Sequence, residues 1–419
     1  MDKLIIQGSV KLSGTVETSA SKNATLPILT ACLLNDEKVT LTKLPKLRDV
    51  ATTFKLLEMM GAGIEKSDDD ATIDCRNLTS TEASYELVKT MRASILVLGP
   101  LLARYKKAIV SLPGGCAIGA RPIDIHLSGL EKMGAKIELK NGNVEATSEG
   151  LKGAHIVLSF PSVGATENIM MAASLADGTT VIENAAREPE IDDLANFINA
   201  MGGKVKGIGS SRLEVEGVKK LKSCTYQIIG DRIEAATYVI AGIMTNSEIE
   251  VTNIKPNYLT SVLDTLDQMG AKLERLPNSI KVKKHNGLKG AKIETAPYPG
   301  FPTDVQAQMM SLMLMADGAS FISETIFENR FMHVPELIRM GAQITLKGNS
   351  AFIEGGSELT GAKVMCTDLR ASAALVLAAL VAKGESVVQR VYHLDRGYEK
   401  LDQKFSALGV NIKRVNDGT

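Results

Sequence analysis

The chain repeats itself six times, and that periodicity limits its fold more than any other feature. A helix-like apolar stretch ending in a glycine turn and a short strand recurs as LLEMMGAGIE, LEKMGAKIEL, FINAMGGKVK, LDQMGAKLER, LIRMGAQITL and FSALGVNIKR. The turn glycines are Gly61, Gly134, Gly202, Gly270, Gly341 and Gly409, at spacings of 73, 68, 68, 71 and 68 residues. A second marker keeps the same register: strand-like phrases at Leu12, Leu151, Leu221, Leu288 and Leu359, with the unit near Leu78 diverging. Self-similarity at a fixed period is to be read before any short motif.

Each unit of about 68 residues predicts two helices and several short strands. Phrases such as TVIEN and SFISE alternate with period two, as half-buried strands do. The first helix of each unit, as in ASAALVLAALVA, is apolar nearly all round and so must be covered on most sides. Three units with these helices central and their sheets outside make a domain of about 200 residues, and six units make two. The expected domains are 21–229 and 1–20 plus 230–419, because the first strand-like phrase precedes the first helix. The chain then crosses between domains twice, a hinge that permits closure over a cleft.

Composition narrows the classes of function. Lys plus Arg and Asp plus Glu number 48 each, so there is no global footprint for nucleic acid or an anionic membrane. The apolar run from Ala371 to Ala382 is too short to cross a bilayer, and the first ten residues do not read as a signal peptide. Five scattered cysteines, at 32, 75, 116, 224 and 366, predict a reducing cytoplasm. No spacing of histidines or cysteines forms a metal cage, and no Walker, zincin or GxSxG motif occurs.

Aligned on their turn glycines, the units bring Arg121, Arg187, Arg330 and Arg396 into register, 13, 15, 11 and 13 residues before the glycine. Lys22, Arg92, Asp231, Asp304 and Arg370 stand at the other ends of the apolar helices. Grouped guanidinium groups suit a highly charged anion, since their donor fork matches phosphate and carboxylate oxygens. The sharpest segment is LPGGCAIGARPID, in which Gly114, Gly115 and Gly119 surround Cys116. A thiol so placed, with Arg121 near, is suited to proton transfer or attack, whereas the other four cysteines read as small core residues. A catalytically silent scaffold of repeats is the alternative that these loops argue against.

The phrases TSASKNATLPIL, KTMRAS, LPGGCAIGARP, FPSVGATENIM, NAAREPEI, PGFPTDVQAQ, FENRFMHVPEL, TDLRAS and HLDRGYE closely resemble the UDP-N-acetylglucosamine 1-carboxyvinyltransferase family of bacterial enolpyruvyl transferases. The resemblance implies two similar domains of inside-out α/β units with pseudo-threefold symmetry. It further implies transfer of the enolpyruvyl group of phosphoenolpyruvate to the 3-hydroxyl of UDP-N-acetylglucosamine, the first committed step of peptidoglycan synthesis. A monomer that needs no metal or organic cofactor is the family expectation. The related enzyme acting on shikimate 3-phosphate has the same fold but lacks the PGGC loop, which ranks it second.

The resemblance assigns roles position by position. Lys22 binds phosphoenolpyruvate and Asn23 aligns the substrates, Arg92 contacts the acceptor, and Cys116 acts as general acid and can form a covalent adduct. Arg121, Pro122, Ile123, Asp124 and Ile125, with Phe160, Pro161, Ser162, Val163 and Gly164, hold the uridine and diphosphate. Asp304 is the base for the sugar hydroxyl, Ile326 a backbone contact and Phe327 an apolar wall. Arg330, Asp368, Arg370 and Arg396 surround the phosphoenolpyruvate and the closed lid. Some members carry lysine where Phe160 stands, so one diphosphate contact differs in this chain.

Overall fold

The computed structural model describes residues 2–88, 92–112 and 123–416, with the side chains of Leu87 and Arg92 outside the description. The described residues form two compact units, one from 20–229 and the other from 2–19 with 230–416. Among them lie six four-stranded sheets, three to a unit, all of one design. In the sheet of the fifth repeat, Lys292–Glu294 pairs in parallel with Ala319–Ser323, which pairs antiparallel with Ser350–Glu354, and Gln343–Lys347 closes the far edge.

The period-two pattern of each central strand explains why the sheets lie outside. In Ala319–Ser323 the side chains of Ser320 and Ile322 are buried while Ala319 is exposed, so one face meets the core and the other is wetter. The helices fill the middle. All thirteen residues of Arg232–Met244 and all eight of Gln306–Met313 are buried, as are Arg370 to Leu380 of Leu369–Val381. These three helices pack against one another inside the second unit. Helices that are apolar on every side can be stable only in such a place. Truncating a fully buried member such as Leu377 to alanine removes about 2–5 kcal/mol.

Each unit closes on itself through a strand distant in sequence. In the first, Cys224–Gln227 pairs in parallel with Val39–Thr42. In the second, Asp2–Gln7 lies between Glu385–Gln389 and Ile412–Asn416, antiparallel to both, while Ser13–Glu17 pairs in parallel with Glu248–Thr252. The amino-terminal stretch therefore belongs to the unit formed by the later half of the chain.

A buried carboxylate secures the end of that stretch. Glu234 accepts the backbone N–H of Ser19 at 2.7 Å and the Lys404 ammonium at 2.7 Å, and Lys404 also reaches the Ser19 hydroxyl at 2.8 Å. Burial outweighs Lys404 and raises the Glu234 pKa to about 7 from its ordinary 4.5. The folded protein thus binds a proton here that the unfolded chain has already released, so stability falls as pH rises from about 4.5 to about 7. Urea midpoints measured across that window should decline, and in Glu234→Gln the contribution of this group to the decline should vanish.

Candidate active site

In the unit of residues 20–229, three features stand at helix starts. Ser21 caps Lys22–Ala31, its hydroxyl accepting the Ala24 N–H at 3.3 Å, which places Lys22 and Asn23 in the first turn. Lys22 lies against the positive end of a helix dipole, an unfavourable place for a cation, and Asp49 from the neighbouring Arg48–Met59 helix answers it at 3.7 Å. Both side chains are largely buried. The second start is Ser162, whose hydroxyl accepts the Ala165 N–H at 3.3 Å and caps Val163–Ala173. Pro161, Val163 and Gly164 are half-buried around it, while Phe160 is 44% exposed. A helix start without acidic side chains leaves N–H groups suited to phosphate oxygens.

The third start is Asp124–Lys132, preceded by Ile123. Asp124 is exposed, whereas Ile123 and Ile125 pack on the unit's core. The next residue, His126, is buried, and burial lowers its pKa to about 4, so its ring is neutral. Its Nδ1 lies 3.1 Å from the Asn168 amide nitrogen. A Cβ on Gly164 would come within 3.1 Å of this imidazole, so glycine lets the Ser162-capped helix start approach His126 closely. His126 is thereby a structural histidine. Arg187 uses its Nε on the Gly209 carbonyl at 3.3 Å, in the turn between the strands Lys204–Lys206 and Arg212–Glu216. Arg92 begins the short helix Arg92–Val97. Cys116, Arg121 and Pro122 lie outside the described residues.

In the other unit the central feature is a carboxylate shared by two guanidinium groups. Asp304 accepts Arg330 Nη2 at one oxygen and Arg370 Nη2 at the other, both at 2.8 Å. Arg330 and Arg370 are 5% and 3% exposed, so these charge-assisted bonds stand in a low-dielectric setting. Burial opposes the Arg370 charge, but Asp304, Tyr398 and Asp231 outweigh it and raise its pKa. The Nη1 atoms of both arginines are buried and have no hydrogen-bond partner. Buried guanidinium donors left over in this way suit an added anion.

Asp368 caps Leu369–Val381, accepting the N–H groups of Arg370 and Ala371 at 2.9 and 3.0 Å, and so fixes where Arg370 begins. Arg396 ends the short helix Val391–Arg396 and is half-buried. The following Gly397 packs on Leu369, where a Cβ would approach Cδ2 to 2.7 Å and push the leucine side chain aside at the start of the Arg370 helix.

Motif reading missed Glu324. This buried carboxylate accepts the Thr295 and Thr303 hydroxyls at 2.9 and 2.8 Å and the Ile326 and Phe327 N–H groups at 2.8 and 3.1 Å. It ties the residue before Asp304 to the Ile326–Phe327 loop, and Phe327 in turn lies under the Arg330 guanidinium at 5.2 Å. Its only sequence signal is an acid at the end of a strand, SFISE.

The described cysteines are inert by environment. Burial raises Cys75 and Cys366 to about 12 and Cys224 to about 11, and raises Cys32 well above the usual thiol range.

A sequence model described as EPSP synthase (3-phosphoshikimate 1-carboxyvinyltransferase) matches residues 6–405. UDP-N-acetylglucosamine 1-carboxyvinyltransferase of Nitratidesulfovibrio vulgaris (strain Hildenborough) is 54% identical over 415 residues, covering 99% of each chain. The enzyme of that name from Shewanella sp. (strain ANA-3) is 54% identical over 418 residues, 99% of this chain and 100% of its own. The chain belongs to the UDP-N-acetylglucosamine 1-carboxyvinyltransferase family. Solved structures agree on the fold. The enolpyruvyl transferase NikO from Streptomyces tendae superposes with a TM-score of 0.89 at 23% identity, over 99% of both chains. EPSP synthase from Acinetobacter baumannii gives 0.79 at 18% identity, over 99% of this chain and 100% of its own. The inside-out α/β barrel of two similar units is thus common to all, while identity separates the UDP-N-acetylglucosamine 1-carboxyvinyltransferases from the wider group. No helix among the described residues is long and apolar enough to cross a membrane.

Proposed function

We propose that this chain transfers the enolpyruvyl group of phosphoenolpyruvate to the 3-hydroxyl of UDP-N-acetylglucosamine and releases phosphate, the first committed step of peptidoglycan synthesis. The observation that carries the reading is the 54% identity, from end to end, with transferases of that name.

The chemistry is addition followed by elimination. Cys116 gives a proton to C3 of phosphoenolpyruvate, which makes C2 electrophilic. The sugar hydroxyl oxygen bonds to C2 while Asp304 takes its proton, and a tetrahedral phospholactoyl adduct results. A C3 proton then returns to the thiolate, the C2–O bond to phosphate breaks with its electron pair, the C2=C3 bond re-forms, and the proton held by Asp304 leaves with the phosphate or to water. Lys22, Arg121 and Arg396 supply the cations that the donor's carboxylate and departing phosphate require. Arg330 and Arg370 orient Asp304, so that each carboxylate oxygen keeps a lone pair for the incoming hydroxyl. The N–H groups at Ser162 to Gly164 and the residues Ile123 to Ile125 serve the nucleotide. Arg92 and Asn23 align the acceptor, and Phe160 offers an apolar face where a charge would otherwise sit. Glu324 occupies the N–H of Ile326, so a backbone contact there falls to the carbonyl oxygen. The substrates place the protein in the cytoplasm.

A coupled phosphate-release assay tests the proposal. Release should require phosphoenolpyruvate and UDP-N-acetylglucosamine together and should not occur with shikimate 3-phosphate. Release with shikimate 3-phosphate and none with the UDP-sugar would overturn it.

A further inference from the structure

Behind the Asp304–Arg370 pair lies a hydrogen-bonded trio that the proposed chemistry does not use. Thr237 comes from Arg232–Met244, Gln308 from Gln306–Met313, and Tyr398 from the turn after Val391–Arg396, and all three are buried. The Gln308 amide nitrogen lies 3.0 Å from the Asp304 carbonyl oxygen, 3.2 Å from the Tyr398 hydroxyl and 3.3 Å from Thr237 Oγ1. The Tyr398 and Thr237 hydroxyls are 2.9 Å apart.

The direction of each hydrogen follows from one further contact. Thr237 donates to the Ile233 carbonyl at 2.9 Å, so it can only accept from Tyr398. Tyr398 donates to Thr237 and accepts from Gln308, whose second amide hydrogen goes to the Asp304 carbonyl. Turning the Gln308 amide over would set two carbonyl oxygens against each other, so its orientation is fixed. The cost of this arrangement is visible: Gln308 Oε1 is buried with no partner. Apolar side chains of similar volume would fill this core without that penalty, so packing alone does not call for the trio.

Tyr398 has two more attachments. The Arg370 guanidinium lies 5.8 Å from the centroid of its ring. Its backbone N–H bonds to the Leu394 carbonyl at 2.9 Å, which closes the turn that carries Arg396. Tyr398 therefore meets Gln308, which holds the Asp304 carbonyl, through its hydroxyl, Arg370 through its ring, and the Arg396 turn through its backbone.

We infer that Tyr398 and Gln308 are positioning residues that hold Asp304, Arg370 and the Arg396 turn in register for enolpyruvyl transfer. The inference rests on the role proposed for Asp304. Removing the tyrosine hydroxyl while keeping the ring, as Tyr398→Phe, should lower kcat about 10-fold or more, because small misplacement of a reacting group is costly. KM for UDP-N-acetylglucosamine should stay within about twofold and the melting temperature close to the parent's, since no substrate contact is lost. Gln308→Met should behave alike, and the double variant should be no worse than the poorer single one, as members of one network are not additive. In an Asp304→Asn background Tyr398→Phe should add little. Parental kcat in both single variants would overturn the inference, as would losses that multiply in the double variant or persist in full without Asp304. If Tyr398→Phe fails to fold, Gln308→Met carries the same test. An Asp304→Asn enzyme of full activity would instead remove the reading of Asp304 as base; a kcat-selective loss in Tyr398→Phe would then place the effect on Arg370 and Arg396.

Discussion

Replacing Asp304 by asparagine is expected to lower kcat by about 10²–10⁴-fold, the range that general acid–base catalysis commonly supplies. KM for UDP-N-acetylglucosamine should change much less. Asparagine keeps the shape and one carbonyl acceptor but cannot take a proton from the sugar hydroxyl. It also turns an NH2 group toward Arg330 or Arg370, each of which donates to one carboxylate oxygen at 2.8 Å in the parent. Breaking a buried ion pair on one side leaves uncompensated charge, a cost of about 3–5 kcal/mol in well-buried cases. Melting curves and kinetics are therefore to be measured on the same preparation. A folded variant with a raised KM and an unaltered kcat would reassign Asp304 from proton transfer to substrate placement.

Cys116→Ser should cut kcat on a similar scale, about 10²-fold or more, because a serine hydroxyl is a far weaker acid than a thiol. Cys116→Asp separates proton transfer from covalent chemistry. A carboxyl group can still protonate C3, so turnover should survive, while alkylating reagents should no longer inactivate the enzyme. The environment of the other thiols makes the labelling clean: burial raises Cys75 and Cys366 to about 12 and Cys224 to about 11, so little thiolate exists there near neutral pH. Reagent incorporation into the native parent should approach one equivalent, and Cys116→Asp should take up almost none. Full kcat in Cys116→Ser would remove the thiol from the mechanism.

The sixfold period made the architecture legible, because each turn glycine marks the same helix end and each apolar helix demands burial. The caps Ser162, Asp231 and Asp368 are of the residue types that favour helix starts, a local signal that the sequence reading left unused. What periodicity could not supply is the partner of each polar residue inside those runs. Gln308 in VQAQMMSLM and Glu234 in RIEAATYV interrupt otherwise apolar helices, and that interruption is a signal, but it does not say that one meets Tyr398 and the other Ser19. Nor does an acid ending a strand announce that Glu324 gathers two hydroxyls and two backbone N–H groups. The side-chain partners among them stand from 21 to 90 positions apart, and Ser19 lies 215 from Glu234, so they are set by packing rather than by local pattern. Arg187 lies in one unit and Arg330 and Arg396 in the other, as the expected domain bounds place them.

The strand Asp2–Gln7 has a consequence for biosynthesis. It leaves the ribosome before residues 20–229, yet its neighbours Glu385–Gln389 and Ile412–Asn416 leave after them. Residues 20–229 hold every described strand of their own three sheets and can complete them during translation, while Asp2–Gln7 waits for strands made more than 370 residues later. Vectorial synthesis thus gives the two units different schedules, and the later one closes only when the segments made before and after the first unit find each other.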